Sequence, residues 1–377
     1  GGFHNAWPRA RRPMTTPTFS SAAERQRQWH ALGMLCGLGL GLAPVAPQLC
    51  AVLRALVGAD AAALFWLDAE GRPEGFFHED SPAAAQDLFL NEFERLFAGP
   101  SEINVHTLAR ADGPRIGRLL APGARYFRSN SFNLLVRASG HRHTLDLRVE
   151  VQGRTRAIAM LFRAPGTAFA AGDAATLERA AGWLARAFER SHAAWSGDAH
   201  GAGPVGHVVL DGEGRRPLFA DEAAVQLLRQ ANLPGLGLRA AAQPALPGDL
   251  PRRLGVAQAG LTARLAVPGG WLAAQRRTLH PLAGGAAQHL VTLQRQHPRS
   301  VAVVQRVLAL PLSPLQRDIA LLAGLGHARA DSHRLAGVGE AALKKHLRAI
   351  FAATQASDWD ELRRRLQENQ DESGDDA

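Results

Sequence analysis

The chain has 377 residues, of which 46% are hydrophobic and 20% charged, so it is globular rather than disordered and long enough for two or three domains. The formal charge is +9, but five of the 34 acidic residues follow Gln367, where there is no Lys or Arg. Residues 1–366 therefore carry a charge of +14, which favours a polyanionic partner. The two cysteines, Cys36 and Cys50, exclude a disulfide framework and predict a cytoplasmic protein.

The N-terminal segment, residues 1–29, is predicted to be disordered or extended, and Met14 is the expected first residue of the natural chain. From Ala31 to Leu53 no residue is charged, so a signal peptide or a membrane span has to be weighed. Glycines and prolines interrupt this stretch, at Gly37, Gly39, Gly41, Pro44 and Pro47. They favour two short helices joined by a turn over a spanning helix.

Residues 30–190 are predicted to form an α+β unit. Apolar residues at 145, 147, 149 and 151 alternate with polar ones, which indicates a half-buried strand, and Gly153 turns the chain into a partner strand over 157–162. Asp173 is the expected cap of a helix whose apolar face follows. His141 and His143 have no carboxylate or Cys at ligand spacing, so we expect an exposed loop there and no metal.

A second unit is expected after a small, polar linker at 191–204. Its opening repeats a pattern of the first unit, because Leu-Asp-x-Glu-Gly-Arg occurs at both Leu67 and Leu210. An Asp and a Gly at this spacing predict a strand, a tight turn and a returning strand. A helix over 221–230 and strands over 271–277 and 289–295 follow. The repeat indicates either two independent hairpins or two sensor domains of related architecture.

Both units resemble known sensor domains. Residues 30–190 are similar to a GAF domain, in the entry "LVGADAAALFWLDAEGR" and in the exit from Gly153 to Leu177. Residues 205–296 resemble a PAS domain in the order of hairpin, helix and closing strands. The resemblance implies two antiparallel-sheet domains that sense a small-molecule signal or mediate dimerisation.

The C-terminal region carries clear helical periodicity. Ser313, Pro314 and Gln316 form a capping-box pattern, and a linker helix is expected before it, over 297–311. Further helices are expected over 328–336, after Gly339, and after Ser357 as a cap. In the third of the four helices, Leu343, Leu347 and Ile350 form the inward stripe. The outward face consists of Ala341, Lys344, Lys345, Arg348 and Ala352. Residues 367–377 are predicted to be a disordered acidic tail.

Residues 312–366 resemble the helix-turn-helix domain of LuxR-type transcriptional regulators. The matching positions are Leu312-Ser313-Pro314, Asp318, Val338, Leu343-Lys344-Lys345-His346-Leu347, Ile350 and Glu361-Leu362. The resemblance implies a four-helix, all-α domain that binds double-stranded DNA, with a homodimer on a two-fold symmetric operator. The expected DNA-contact residues are Arg329, Glu340, Ala341, Lys344, Lys345 and Arg348, and the expected dimer surface is formed by Trp359, Leu362 and Leu366.

Three departures from the family pattern concern DNA contact. Ala342 stands where a phosphate-binding Ser or Thr is usual, Ser332 replaces an aliphatic residue, and Ala353 begins a segment that is usually Lys-Leu-Gly-Val. The competing hypothesis is therefore a ligand-binding or protein-interaction module with a vestigial helix-turn-helix. The sequence has no GxSxG, P-loop or HExxH motif, so we predict neither catalysis nor a cofactor.

Overall fold

The fold begins with two helices separated by a glycine-rich turn. The computed structural model describes residues 21–68, 70–188, 199–233 and 246–368. Helix α1 spans Ala22–Gly37 and helix α2 spans Ala46–Val57, which confirms the two-helix prediction. Helix α1 nevertheless begins eight residues before the predicted boundary at residue 30, because Ser21 caps it by accepting a hydrogen bond from the Glu24 amide. No helix within the described ranges is long and apolar enough to cross a membrane.

A four-stranded antiparallel sheet in the order β2-β1-β4-β3 is the centre of the first unit. The strands are β1 Ala61–Leu67, β2 Pro73–His78, β3 His143–Val151 and β4 Arg154–Arg163. Helices α3 Ala83–Asn91, α4 Phe93–Leu96 and α5 Val105–Leu108 lie between β2 and β3, and α6 Ala171–Arg186 follows β4. One face of the sheet packs on α1, α2 and α6, and the opposite face packs on the β2–β3 connection.

Strand β3 is buried on both faces, so its prediction as a half-buried strand is wrong. Asp146 and Arg148, expected to face solvent, are 2% and 7% exposed. The connection before β3 covers them, since Asp146 Oδ1 accepts a 2.6 Å hydrogen bond from the Leu119 amide. Arg148 donates to the Arg110 carbonyl oxygen at 2.6 Å. A polar residue in an alternating pattern can therefore lie beneath a loop that the pattern does not reveal.

The helix whose cap was predicted at Asp173 has Ala170 as its cap, three residues earlier. Asp173 lies in the first turn of α6, where its carboxylate accepts a 2.8 Å hydrogen bond from the Ala170 amide. It also accepts a 3.1 Å hydrogen bond from Arg163 Nη1. Asp173 therefore ties the start of α6 to the end of β4 and does not occupy the cap position.

The two repeated turns have the geometry that the sequence predicts. Asp68 Oδ1 accepts from the Arg72 amide at 2.8 Å, and Asp211 Oδ1 accepts from the Arg215 amide at 2.9 Å. The glycines at 71 and 214 both have positive φ, 80° and 68°. Each turn joins two antiparallel neighbours in its sheet.

The second unit is a five-stranded antiparallel sheet in the order β6-β5-β9-β8-β7. Its elements are β5 Ala199–Leu210, β6 Pro217–Ala220, α7 Glu222–Gln230, α8 Leu250–Arg253, β7 Thr262–Val267, β8 Gly270–Leu279 and β9 Gln288–Pro298. The predicted linker at 191–204 is shorter than expected, because β5 begins at Ala199 and pairs there with Pro298 of β9. The rest of that linker lies outside the described residues. Strand β7 was not predicted.

Five helices form the C-terminal bundle: α9 Arg299–Ala309, α10 Pro314–Gly324, α11 Arg329–Leu335, α12 Glu340–Thr354 and α13 Trp359–Gln367. The capping box of α10 is confirmed, since Ser313 and Gln316 exchange hydrogen bonds. Asp358 caps α13 in place of the predicted Ser357, because its carboxylate accepts a 2.8 Å hydrogen bond from the Glu361 amide. Helix α9 is a packed member of the bundle rather than a free linker, with Val303, Val304 and Val307 at most 1% exposed.

The C-terminal bundle shares a core with the first unit. A single cluster of buried apolar side chains runs from α1, α2 and the inner sheet face through α9 to α13. The second unit has its own core and reaches the shared cluster through Trp271. The chain is thus a mixed α/β fold with two antiparallel sheets, in which the helical bundle packs directly on the N-terminal helices.

Candidate nucleic-acid interface

Helix α12 separates an apolar stripe from a cationic face, as its periodicity predicts. Leu343, Leu347 and Ile350 are 6%, 2% and 0% exposed and pack against the other bundle helices. The helix ends at Gln355, which takes the left-handed conformation with φ 57°. This position is one that glycine occupies without strain, so a glutamine here costs stability.

The cations of α12 project into solvent. Lys344, Lys345 and Arg348 are all exposed. Within the described ranges, none of the three makes an ion pair with an acidic side chain or a hydrogen bond to another residue. Position 348 is about one helical turn from both 344 and 345, at spacings of four and three residues. The three charges therefore form one unneutralised basic surface, which we call the α12 basic face.

The remaining expected contact residues lie in the first turns of α11 and α12. Arg329, at the first turn of α11, is exposed, as are Glu340 and Ala341 in the first turn of α12. No side chain caps α12, whose cap residue is Gly339. Its first amide groups are thus open to solvent, an arrangement that suits an anion, although the Glu340 carboxylate opposes one.

The residues predicted to form the dimer surface are buried in the core of the single chain. Trp359, Leu362 and Leu366 are 6%, 0% and 3% exposed. The Trp359 indole Nε1 donates a 2.9 Å hydrogen bond to the His327 carbonyl oxygen, which fixes α13 to the turn between α10 and α11. The apolar spacing of these residues marks the inner side of α13.

Ser332 shows how the bundle accommodates a polar residue in place of an aliphatic one. Its side chain is 0% exposed, and its hydroxyl donates a 2.6 Å hydrogen bond to the Arg329 carbonyl oxygen one turn earlier. The hydroxyl is satisfied within the helix, so the substitution does not leave a buried unpaired donor.

The first unit contains an apolar cavity that sequence reasoning did not find. It encloses about 60 Å³ between the outer sheet face and the β2–β3 connection. Phe65, Phe76, Met160 and Phe162 line it from the sheet, and Phe89 closes it from α3. These residues are far apart in the chain, so no local motif marks the cavity.

A buried histidine pair lies beside this cavity. His141, predicted to be in an exposed loop, is 5% exposed, and its Nε2 lies 3.0 Å from Asp80 Oδ2. His78 Nδ1 lies 3.3 Å from the other oxygen of the same carboxylate. Burial by itself would raise the pKa of Asp80, but the hydrogen bonds and charges of His141 and His78 lower that pKa well below its usual range. No cluster in the described residues has metal-binding geometry.

Comparison with known proteins assigns no family. No protein-family model matches the chain, and no curated protein matches it. Among solved structures, the crystal structure of the E. coli DhaR(N)–DhaL complex is similar over 75% of this chain and 91% of that chain, at 14% identity and a TM-score of 0.19. A likeness this weak establishes neither a common fold nor a common function.

Proposed function

We propose that the protein is a DNA-binding transcriptional regulator in which the two sheet units sense a signal and the C-terminal bundle binds DNA. The observation that carries the proposal is the α12 basic face, on which Lys344, Lys345 and Arg348 are exposed and without acidic partners among the described residues. Cations placed in this way neutralise phosphates and release condensed counterions. The helix presents them beside small residues such as Ala341, which lets the backbone come close to a duplex.

The number of cations is enough for specific binding by a dimer. The α12 basic face and Arg329 supply up to four phosphate contacts per chain, and specific complexes make roughly six to ten. A homodimer on a two-fold symmetric site would reach about eight. Because α13 is buried against its own chain, we propose that the second copy is recruited by another surface, leaving the α12 basic face free in both copies.

The sensory part of the proposal rests on the packing of the bundle. The C-terminal helices share a core with α1, α2 and α6, so a change in the first unit has a direct mechanical route to α12. We expect the protein to work in the cytoplasm and without catalytic activity.

Genome-wide capture of bound DNA tests the proposed function. Cells would express the full chain, a variant with Lys344→Ala, Lys345→Ala and Arg348→Ala, and the control variant Arg364→Ala. Arg364 is an exposed cation of α13, outside the α12 basic face. We expect discrete captured sites with the full chain and the control and their loss in the triple variant. Captured DNA that is indistinguishable between the triple variant and the full chain would refute the assignment.

A second candidate function is favoured by one observation. Ala342 is exposed at the position where a hydroxyl would bind phosphate, so this contact is missing from the α12 surface. In a protein-interaction module, the bundle would serve as a structural scaffold and would not bind DNA. Gel-shift titration of the full chain against mixed genomic fragments separates the two, since such a module would retain none of them at low salt.

A further inference from the structure

A large cleft lies between the two sheet units. It adjoins the apolar cavity, with which it shares His78 and Gln86, and no residue of the α12 basic face lines it. Its volume is about 750 Å³, within the usual range for small-molecule sites. Its walls come from α3 in the first unit, from α7 in the second, and from the end of β9. Asn232 Nδ2 donates a 3.4 Å hydrogen bond to the Phe76 carbonyl oxygen across the same junction. The cleft is therefore a property of the assembled chain, since no single unit forms it.

The alternation of β9 explains how charged groups reach the cleft. Leu293 is fully buried in the core of the second unit, and residues 295 and 297 lie on the same face of the strand, beyond the end of that core. Arg295 and His297 thus emerge where the apolar core stops and the cleft begins. His297 Nδ1 lies 3.1 Å from the Gly269 carbonyl oxygen, which requires its N–H there and leaves Nε2 as the free ring atom.

Helix α7 brings a second guanidinium to the same cleft. Leu228 packs into the core of the second unit, and its neighbours Gln226, Arg229 and Gln230 line the cleft. The Nε atom of Arg229 is buried and has no hydrogen-bond partner among the residues that the structure describes. A buried guanidinium N–H without an acceptor is costly, and it is a group that a bound oxyanion would satisfy.

The charge balance of the cleft is one-sided. Among the described lining residues, Asp87 is the single carboxylate, against the guanidinium groups of Arg229 and Arg295. Asp87 Oδ1 already accepts a 2.6 Å hydrogen bond from Asn91. Arg295 donates to the Pro268 carbonyl oxygen and makes no ion pair in the described part of the chain, and burial lowers its pKa. The positive charge of the cleft is therefore not balanced by acidic groups of the wall.

We propose that this cleft binds a small organic anion through a carboxylate or phosphate group held by Arg229 and Arg295. A planar guanidinium presents two parallel N–H donors to such an oxyanion. The amide side chains of Gln86, Gln226 and Gln230 offer donors and acceptors to the polar remainder of the molecule. The ligand class is thus a hydrophilic metabolite with one oxyanion and several hydroxyl or amide groups. The proposal does not depend on DNA binding.

Calorimetric titration of the full chain tests the proposed anion binding with three probes. They are citrate as a carboxylate, glucose 6-phosphate as a phosphate, and glucose as the neutral counterpart. We expect at least one anion to bind with millimolar or tighter affinity and glucose not to bind. The anion that binds identifies which oxyanion the cleft takes. Arg295→Gln should weaken that binding about tenfold or more, because it removes a charge-assisted hydrogen bond.

The control variant is Arg277→Gln, an exposed arginine of β8 in the same sheet, which should bind as the unmodified chain does. If Arg295→Gln does not fold, Arg229→Gln carries the same expectation. The absence of binding by both anions would overturn the proposal, as would an affinity that neither cleft variant changes, or an equal loss in Arg277→Gln.

Discussion

His30 Nε2 lies 2.7 Å from Asp318 Oδ1, a contact between α1 and α10 that joins residues 288 positions apart. His30 is 16% exposed and Asp318 is 50% exposed, so the pair lies at the rim of the shared core. It connects the N-terminal helices to the helix that precedes α11 and α12. The contact shows that the bundle packs directly on the first unit, in one orientation.

The first prediction concerns this pair. His30→Ala and Asp318→Asn should each lower the free energy of unfolding by less than about 1 kcal/mol, because a half-exposed pair is weakened by solvent. Measured together by urea denaturation in a double-mutant cycle, they should show a coupling of about 0.5 kcal/mol or more. Strictly additive effects would contradict the contact.

The second prediction concerns the close approach of α9 and α10. A Cβ on Gly324 would overlap Val303 Cγ1, and Val303 is 1% exposed. Gly324→Ala should therefore destabilise the protein by about 1–3 kcal/mol, although alanine is the better helix former. Adding Val303→Ala should offset part of the loss that Gly324→Ala causes. The control is Gly182→Ala in α6, where nothing lies within 4 Å of the new Cβ and a small gain is expected. Equal effects at 324 and 182 would count against the packing.

The third prediction separates a core role from a dimer role for α13. Leu362 is 0% exposed, so Leu362→Ala should cost about 2–5 kcal/mol of unfolding free energy at any protein concentration. The matched control is Leu335→Ala, at a residue of α11 that is 51% exposed. This substitution should lower the free energy of unfolding by less than about 0.5 kcal/mol. A small cost for Leu362→Ala together with loss of self-association in light scattering would contradict the core role and support a dimer interface on α13.

The fourth prediction uses the lowered pKa of Asp80. A carboxyl whose pKa is lower in the folded state stabilises that state above its unfolded pKa of about 4, and the contribution disappears as the pH falls through the folded pKa. Asp80→Asn should thus lower the free energy of unfolding by about 1 kcal/mol near pH 5. The effect is this small because the Asp80 side chain is 46% exposed and solvent weakens its interactions. The difference from the unmodified chain should shrink toward pH 2 in acid titrations followed by circular dichroism. Asp112→Asn, on a carboxyl that is 65% exposed, should give a difference near zero at all pH values. A difference for Asp80→Asn that grows on acidification would be inconsistent with the pairing.

Local patterns predicted local structure well. The α10 capping box and the α12 stripe lie within one or two helical turns, so the residues that decide them are adjacent in the chain. The two Asp–Gly turns were predicted for the same reason. The cationic face of α12 also followed from periodicity alone, because a helix that buries Leu343, Leu347 and Ile350 must turn Lys344 and Arg348 outward.

Long-range relationships were not predictable in this way. Strand β7 contains Leu265 and Val267 and pairs with β8. The alternation of apolar and polar residues in β7 is too weak to predict this pairing from its own sequence. The burial of His141 depends on Asp80, 61 positions earlier. The cleft joins α3 to β9, which are separated by about two hundred residues. The inward side of α13 was predicted correctly. The assignment of that same side to a dimer stays a prediction, because burial by the chain itself and burial by a partner leave the same apolar pattern.

The central claim is that the α12 basic face binds DNA phosphates, and the salt dependence of binding tests it most directly. Affinity for a captured fragment would be measured by gel shift from 50 to 200 mM salt for the full chain, Lys344→Ala and Arg364→Ala. The logarithm of the binding constant should fall linearly with the logarithm of salt, and Lys344→Ala should flatten the slope by about one unit for each bound copy. Arg364→Ala should leave the slope unchanged. An identical slope for Lys344→Ala and the full chain would contradict a role for this face in DNA binding.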